Sequence, residues 1–331
     1  MAAQVVVITG PTAAGKTGLG VRLAQAIGGE VVSADSMQIY RGMDIGTAKP
    51  GALEMGGVPH HMIDVAEPDE AYSVARYVEE ASRCVDDILA RGKVPILVGG
   101  TGLYIDSLLS GREFAPQRVG SGMEDGGRTQ FAPAEDIAPL QGRGVAGSVS
   151  YDAEACWQEL QAIDPETAGR LHPNDRKRVL RALEVYRLTG QTMTAHNEAT
   201  KRIPPRYAAV KIAITARDRA DLYRRIDCRV DGMVAAGLQA EVERLIQSGL
   251  SAGSTAMQAI GYKEMLWAVK GELSAEEAVA RIKQESRRYA KRQLSWIGRD
   301  ETVRWIIWDK EPDLEAAAHS STEFCREVGV I

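Results

Sequence analysis

The chain alternates short apolar runs with longer stretches in which apolar side chains recur every three or four positions. The short runs are typical of buried strands, and the spaced pattern is typical of amphipathic helices. Residues 94–98 are apolar without interruption, as in a strand covered on both faces within a parallel sheet. The alternation predicts an α/β fold in which helices flank a parallel sheet.

Each run and each spaced stretch is assigned to one element. Predicted strands cover residues 5–8, 30–35, 59–64, 93–98, 210–215 and 303–308. Predicted helices cover residues 19–27, 72–90, 176–189, 219–236, 238–248, 255–270, 276–297 and 313–328. Asp175 and Ser274 are predicted N-caps, because each places a short side chain with an acceptor oxygen just before a helical stretch.

Neither pattern continues between residues 111 and 150, where glycines recur, and we expect a mobile Gly-rich stretch at about 115–150. A strand pattern returns at residues 210–215. The sequence therefore predicts a core formed by residues 1–111 and 207–331, with C-terminal helices, and an inserted, mainly helical domain formed by residues 112–206.

Composition is that of a globular protein large enough for two domains, with 331 residues, 44% of them apolar and 26% charged. No apolar run is long enough to span a bilayer, and no basic segment precedes the first strand. We therefore expect a cytoplasmic protein without a membrane partner. The four cysteines form no CxxC pair and predict reduced thiols without a zinc site.

A phosphate-binding loop is predicted at residues 10–17, where Gly-Pro-Thr-Ala-Ala-Gly-Lys-Thr joins the first strand to the first helix. Its glycines let backbone N–H groups turn inward, and the helix N-terminus adds partial positive charge. Lys16 can reach the outer phosphates, and the Thr17 hydroxyl can ligate Mg²⁺. The loop predicts a di- or triphosphate ligand and leaves a kinase, an NTPase and other diphosphate chemistry open.

Two basic segments stand out against the net charge of −5. Residues 170–206 carry nine Arg or Lys against three acidic residues, and residues 281–299 carry seven against one. Basic helix faces are often only solvated surface. Two of them beside a phosphate-binding loop fit a polyanionic partner equally well.

Polar side chains follow two further strands. Asp35 ends the second predicted strand, and Thr101 follows the strand at residues 93–98. Because ligands collect at the carboxyl ends of parallel strands, both residues should face the same crevice as the phosphate loop. Asp35 is a candidate base, but it also fits a turn cap or a water-mediated Mg²⁺ ligand. Thr101 offers a hydroxyl to a ligand and also fits an ordinary helix cap.

His60 and His61 are adjacent within a predicted strand. Neighbouring side chains of a strand point to opposite faces, so the two imidazoles should diverge. We expect a structural or substrate-lining role for them and no shared metal.

Several sequence blocks stand in one order along nearly the whole chain. They cover residues 10–17, 35–40, 46–50, 99–104, 172–175, 260–264 and 289–293. Together they closely resemble the tRNA dimethylallyltransferases, which transfer an isopentenyl group to the exocyclic amine of the adenosine just 3′ of the anticodon. The resemblance implies a P-loop NTPase-like core and a tRNA-binding role for the inserted domain at residues 112–206.

The resemblance also implies the reactants. Dimethylallyl diphosphate is the expected donor, the tRNA anticodon stem-loop the expected partner and Mg²⁺ on Thr17 the expected cofactor. The loop N–H groups, Lys16 and Mg²⁺ would neutralise the leaving diphosphate while positive charge develops on the allylic carbon. Asp35 would act as general base toward the weakly nucleophilic amine, with Thr101 near the reacting centre.

The family motifs carry over to individual residues of this sequence. The implied catalytic residues are Asp35 and Thr101. The implied diphosphate-binding residues are Gly10, Thr12, Ala13, Ala14, Gly15, Lys16, Thr17 and Arg219. The implied tRNA-binding residues are Asp35, Ser36, Met37, Gln38, Thr101, Lys177, Arg178, Arg181, Lys263, Arg287 and Arg292. The two basic segments then become contacts to the phosphate backbone, and a monomer is expected.

One segment departs from the family pattern. The family has a helix with a basic residue near the RNA after the Gly-Gly-Thr turn, whereas residues 116–150 are longer and richer in glycine. Arg118 or Arg128 is a candidate substitute for that basic residue. Three other functions remain open: a P-loop small-molecule kinase, a prenyltransferase of free adenine nucleotides and a non-enzymatic RNA-binding protein.

Overall fold

The computed structural model describes residues 3–111 and 152–331. The stretch at about 115–150 that was predicted to be mobile lies outside the described residues, and so do Arg118 and Arg128.

The strands of the described residues form one parallel sheet, which confirms the predicted α/β class. They are β1 (Ala3–Thr9), β2 (Gly29–Ala34), β3 (His60–His61), β4 (Val94–Gly99), β5 (Tyr207–Ala216) and β6 (Arg304–Trp308). Their order across the sheet is β3-β2-β4-β1-β5-β6, and every neighbouring pair is parallel. The central strand β1 is fully buried from Val5 to Ile8, as its uninterrupted apolar sequence requires.

The helices occupy most of the remaining described chain. They are α1 (Lys16–Ile27), α2 (Ala52–Met55), α3 (Val74–Ala90), α4 (Gly102–Ser110), α5 (Ala153–Ile163), α6 (Pro165–Arg170), α7 (Arg176–Thr189), α8 (Met193–Lys201), α9 (Arg219–Ala235), α10 (Leu238–Gln247), α11 (Tyr262–Val269), α12 (Ala275–Ile297) and α13 (Leu314–Glu327). The two predicted N-caps are confirmed. The Asp175 side chain accepts from the Arg178 amide, and Ser274 forms a capping box with Glu277.

Two predicted elements are wrong in extent, and in both cases the backbone shows why. The strand predicted at residues 59–64 shrinks to β3, because Met62 and Asp64 have φ of +63° and +55°. The helix predicted at residues 255–270 is a 3₁₀ turn at Ala256–Gln258 followed by α11. Gly261, with φ of +101°, separates the two.

The chain divides into two compact units. The first comprises Met1–Ala71, Glu80–Leu109 and Arg206–Ile331 and contains the sheet. The second comprises Tyr72–Glu79 and Ser110–Pro205 and is helical in its described part. The second unit has its own apolar core, formed by Leu160, Ala168, Val179, Ala182 and Leu183.

A charged cluster lies at the amino end of β2. The Glu30 carboxylate is buried and accepts hydrogen bonds from Arg91, from Lys93 at 2.7 Å and from His61 Nε2 at 2.8 Å. The hydrogen bond from Arg91 is the main reason that the pKa of Glu30 lies well below its usual value. His60 instead contacts the Val58 carbonyl at 2.9 Å, so each imidazole has a separate structural contact.

Candidate active site

The phosphate loop joins β1 to α1 in a conformation that its glycines permit. Gly10 has φ of +148°, and a Cβ there would lie 2.3 Å from the Ile214 carbonyl oxygen, so β5 leaves room only for glycine. Ala13 and Gly15 also have positive φ, at +63° and +99°. Three of the eight loop residues thus have a positive φ, and α1 begins directly after the last of them.

The amides of this loop fall into two groups. The Thr12 N–H donates to Gln293 Oε1 at 2.8 Å, and the Ala14 N–H donates to the Pro11 carbonyl at 3.3 Å. The amides of Ala13, Gly15, Lys16 and Thr17 have no acceptor among the residues that the structure describes. An anion bound in the loop would therefore find most of its backbone donors at the N-terminus of α1.

Lys16 is the first residue of α1, and its ammonium group lies inside the loop, where Nζ donates to the Pro11 carbonyl at 2.9 Å. Burial, followed by the positive charge of Arg229, lowers the pKa of Lys16 to about 7, although Asp35 opposes the shift. Both charged neighbours act on the same ammonium group, so Lys16, Arg229 and Asp35 share one electrostatic environment.

Helix α9 brings two arginines toward the phosphate loop. Arg225 Nε donates to the Ala13 carbonyl at 3.1 Å, and its guanidinium also pairs with Glu311. One turn later lies Arg229, whose pKa is lowered by burial, with Asp35 and Glu54 acting in the opposite direction. Within residues 3–111 and 152–331, Arg229 makes no hydrogen bond or ion pair, so its charge is uncompensated by a direct partner.

Arg219, the arginine that the resemblance implied for diphosphate binding, is placed differently. It is the exposed first residue of α9. Ten residues of helix, or about 15 Å along the axis, separate it from Arg229. Two other arginines of the same helix act on the loop: Arg225 through the Ala13 carbonyl and Arg229 through its charge on Lys16. Their spacing of four residues, typical of one helix face, was the available sequence signal.

Asp35 follows β2 directly and begins a tight turn. Its Oδ1 accepts from the Met37 amide at 2.9 Å and from the Gln38 amide at 3.4 Å. The turn-cap role that the sequence left open is therefore present, and it uses one of the two carboxylate oxygens. No described residue hydrogen-bonds to the other oxygen, which leaves it available to a ligand.

Thr101 binds the same turn from the end of β4. Its amide donates to the Ala34 carbonyl at 3.1 Å, and its Oγ1 accepts from the Ser36 amide at 3.1 Å. The hydroxyl also lies 3.4 Å from Ser36 Oγ. The structure thus brings Asp35, Ser36 and Thr101 together, and the Thr101 side chain holds the turn that Asp35 begins.

Gln38 ties this turn to the next loop. Its Nε2 donates to the carbonyls of Thr47 and Ala48, each at 3.3 Å, and its Oε1 lies 3.2 Å from Ser33 Oγ. Both the NH₂ group and the oxygen of the side-chain amide are therefore hydrogen-bonded. The loop at residues 41–50 accepts both bonds from the NH₂ group and so fixes its position.

Gln293 is a site residue that the sequence did not identify by role. It is 5% exposed on α12, accepts from the Thr12 amide and donates from Nε2 to the Gly100 carbonyl at 3.1 Å. One side chain thus joins the phosphate loop to the turn after β4. A Cβ on Gly100 would lie 2.0 Å from Gln293 Nε2, so the contact also requires glycine at that turn.

The basic residues predicted to bind RNA differ in how freely their charges are presented. On α12, Arg292 is exposed, whereas Arg287 is held by both carboxylate oxygens of Asp227 at 2.6 and 2.7 Å. Lys263 on α11 lies 3.8 Å from Glu264 and 5.3 Å from the centre of the Trp267 ring. Arg292 is therefore the most accessible of the three cations.

The residues of the second unit that were predicted to bind RNA lie on α7. Lys177 and Arg178 are exposed, and Arg178 also pairs with Asp175 at 2.9 Å. Arg181 is only 8% exposed and pairs with Glu184 at 2.8 Å. The helix therefore presents two of its three predicted basic side chains to solvent, whereas Arg181 is buried.

A dedicated metal site is not found in the described residues: no group of three His, Cys, Asp or Glu side chains there could hold an ion. Thr17, the predicted Mg²⁺ ligand, lies at the second position of α1, and no described residue hydrogen-bonds to its hydroxyl. Among the same residues, no helix is long and apolar enough to cross a membrane.

Comparison with known families relates this geometry to proteins of known activity. The chain matches the IPP transferase family over residues 38–300 and the isopentenyl transferase family over residues 3–69. A tRNA dimethylallyltransferase from Desulforudis audaxviator is 46% identical over 301 residues, covering 91% of each chain. One from Geobacter metallireducens is 46% identical over 303 residues, covering 92% of each.

Solved structures agree with these relatives. A tRNA delta(2)-isopentenylpyrophosphate transferase from Staphylococcus epidermidis has a TM-score of 0.67 at 39% identity, covering 98% of this chain and 99% of its own. A eukaryotic dimethylallyltransferase acting on tRNA has a TM-score of 0.75 at 30% identity, covering 97% of this chain and 77% of its own. The chain therefore belongs to the IPP transferase family, the prenyltransferase enzymes that include the tRNA dimethylallyltransferases.

Proposed function

We propose that this protein transfers a dimethylallyl group from dimethylallyl diphosphate to the exocyclic amine of the adenosine 3′ of the anticodon in tRNA. The observation that carries the proposal is the charge arrangement at the phosphate loop. Two cations, Lys16 and Arg229, share an environment with the Asp35 carboxylate, and Glu54 also acts on Arg229. A partly buried site with two cations beside a carboxylate oxygen that is free to accept a proton suits an anionic leaving group and a proton acceptor.

The diphosphate is held by the loop and by α9 in this proposal. The amides of Ala13 and of residues 15–17 point toward the bound oxygens, and Lys16 turns from the Pro11 carbonyl to the phosphates. Arg229 supplies the guanidinium that the resemblance had placed at Arg219. Arg225 supports the loop by donating a hydrogen bond to the Ala13 carbonyl.

The donor set beside the loop fits Mg²⁺. This ion takes few ligands from a protein and is held mainly by substrate phosphates and water, so one hydroxyl is a sufficient protein contribution. Thr17 would hold it through Oγ1. When bound, Mg²⁺ would neutralise charge on the leaving diphosphate. Proton transfer and substrate orientation would depend on residues of the protein.

Asp35 is the proposed general base. Its Oδ1 is held by two amides, so the free oxygen has a fixed direction from which to accept a proton. As the adenosine nitrogen bonds to the allylic carbon, the carbon–oxygen bond to diphosphate breaks and its electron pair leaves with diphosphate. The amine proton passes to Asp35. Thr101 keeps the carboxylate aligned through the Ser36 amide.

The acceptor tRNA is proposed to contact both units of the protein. Asp35, Ser36, Met37, Gln38 and Thr101 would line the adenosine site. The proposed backbone contacts are Lys177, Arg178, Lys263, Arg287 and Arg292. Arg181 fits a supporting role, since it is buried and paired. Extrusion of the adenosine from its stack exposes the amine to the base, and we propose that a monomer suffices.

The test is a prenylation assay with Mg²⁺, dimethylallyl diphosphate and unmodified tRNA, read by mass spectrometry of the digested RNA. We expect one C₅H₈ unit on the adenosine 3′ of the anticodon and none on a control tRNA with guanosine there. Phosphate transfer from ATP without prenylation would establish the kinase alternative. Equal activity on AMP and tRNA would establish a free-nucleotide prenyltransferase.

Diphosphate binding should depend on the protonation of Lys16. Its pKa is about 7 before binding, and bound phosphate oxygens should raise that pKa. Below pH 7 the Lys16 ammonium is already charged, so the contribution of Lys16 to diphosphate affinity does not change with pH. Above pH 7 Lys16 must take up a proton when diphosphate binds. The Kd for inorganic diphosphate should therefore rise by up to about tenfold per pH unit between about pH 7 and pH 9.

Titration calorimetry in buffers of different ionisation enthalpy measures both the Kd and the proton uptake. Diphosphate itself titrates in this range, so Lys16→Met provides the comparison: its remaining pH dependence belongs to the ligand. The same pH dependence in Lys16→Met and in the unaltered protein would contradict the prediction.

A further inference from the structure

A buried carboxylate outside the phosphate loop binds the loop at residues 41–50. Glu241 on α10 is 2% exposed and accepts from three successive amides, those of Asp44, Ile45 and Gly46, at distances between 2.9 and 3.1 Å. A fourth donor is the Tyr262 hydroxyl, at 2.5 Å. A buried carboxylate that accepts four hydrogen bonds fixes the backbone that donates to it.

Packing makes the contact specific. A Cβ on Gly46 would lie 2.4 Å from the Tyr262 ring, so only glycine at position 46 lets the loop lie this close to the ring. Burial, with the adjacent Glu241 carboxylate, raises the pKa of Tyr262, and its hydroxyl therefore remains a donor. Gly46, Glu241 and Tyr262 form a unit that we call the loop clamp.

The loop clamp continues to the proposed adenosine site. Directly after the clamped amides come Thr47 and Ala48, whose carbonyls accept both hydrogen bonds from Gln38 Nε2. The Gln38 amide in turn donates to Asp35 Oδ1. The path from Glu241 to the proposed base thus consists of covalent chain and hydrogen bonds within the first unit.

We propose that Glu241 is a positioning residue for prenyl transfer: through the loop clamp it holds Gln38 where the acceptor adenosine is bound. The proposal rests on the proposed function. It assigns to Glu241 no contact with either substrate. The diphosphate site, built from the phosphate loop and α9, should be independent of it.

The test variant is Glu241→Gln, which keeps the shape but directs an amide NH₂ at backbone donors. We expect kcat/KM for tRNA to fall about 10- to 100-fold, because small displacements of a positioning group cost that much. The Kd for inorganic diphosphate should stay at its original value. Glu243→Gln is the matched control, since Glu243 is a half-buried glutamate of the same helix whose carboxylate accepts from Gln239 at 2.8 Å. The activity of this variant should not change.

A double variant tests whether the effect passes through Gln38. If it does, Gln38→Ala with Glu241→Gln loses no more activity than Gln38→Ala alone, whereas independent effects would multiply. Multiplying effects, or full activity in Glu241→Gln, would overturn the proposal. Tyr262→Phe removes a single donor and provides a milder variant if Glu241→Gln fails to fold; it should show the same pattern at smaller size.

Amide hydrogen exchange separates this proposal from the proposed function. The amides of residues 44–46 should exchange faster in Glu241→Gln and in Tyr262→Phe than in the unaltered protein, whether or not tRNA is prenylated. If the unaltered protein fails to prenylate tRNA, the proposed function fails while the exchange result still reports on the clamp. Unchanged exchange at these three amides would overturn the clamp itself.

Discussion

Replacing Asp35 by asparagine is expected to lower the turnover number for tRNA prenylation at least about 10²-fold, the effect of losing a general base. The asparagine Oδ1 can still accept from the amides of Met37 and Gln38, so the turn should persist. Its second group is an amide NH₂, which cannot accept the amine proton. The substitution therefore removes the chemistry and keeps the local structure.

The measurements are single-turnover prenylation and tRNA binding by the same variant. Asp69→Asn provides the control, because Asp69 is an exposed acid of the same unit. We expect tRNA binding close to the original value in both variants and slow chemistry only in Asp35→Asn. Turnover unchanged in Asp35→Asn would assign the Asp35 carboxylate to the turn alone. Loss of tRNA binding would instead make it an RNA contact.

The sheet and the phosphate loop were predictable because their signals are local. An uninterrupted apolar run identifies a buried parallel strand, and the glycines, lysine and threonine of residues 10–17 identify the loop. The errors arose where one backbone angle ends an element. Neither the left-handed Met62 nor the break at Gly261 changes the hydrophobic pattern enough to be seen in it.

The supporting residues of the site were not predictable in the same way. Gln293 binds the Thr12 amide from 281 positions away, and Glu241 binds the Ile45 amide from 196 positions away. Glutamine and glutamate are common on helix surfaces, so neither identity suggests burial. Their roles depend on which helices the fold packs against the strand ends, and that arrangement is a property of the tertiary structure.

Arg219 and Arg229 are alternative candidates for the diphosphate-binding arginine. The resemblance places a diphosphate-binding arginine near the start of α9, where several arginines follow one another. The sequence motif alone does not say which turn of α9 faces the phosphate loop. The buried stripe Leu222, Ile226 and Val230 fixes the rotation of α9, and Arg225 and Arg229 each precede a member of it.

Replacing Arg229 by methionine is expected to lower kcat/KM for dimethylallyl diphosphate about 10²- to 10³-fold, the range for removing one fixed donor to developing negative charge. Since Arg229 has no hydrogen bond or ion pair within the described ranges, its loss should not weaken the fold. Arg224→Met is the matched control: Arg224 is exposed on the same helix and pairs with Asp221 at 2.7 Å. Its kinetics should not change.

Arg229→Met should also change the pKa of Lys16, in a direction that can be stated in advance. The charge of Arg229 helps to lower the pKa of Lys16, so Arg229→Met should raise that pKa. The pH above which diphosphate binding weakens should then move upward, while the affinity at low pH falls because a cation is lost. Arg219→Met decides between the two arginines. If it shows the kinetic loss and Arg229→Met does not, the guanidinium of the diphosphate site belongs to Arg219.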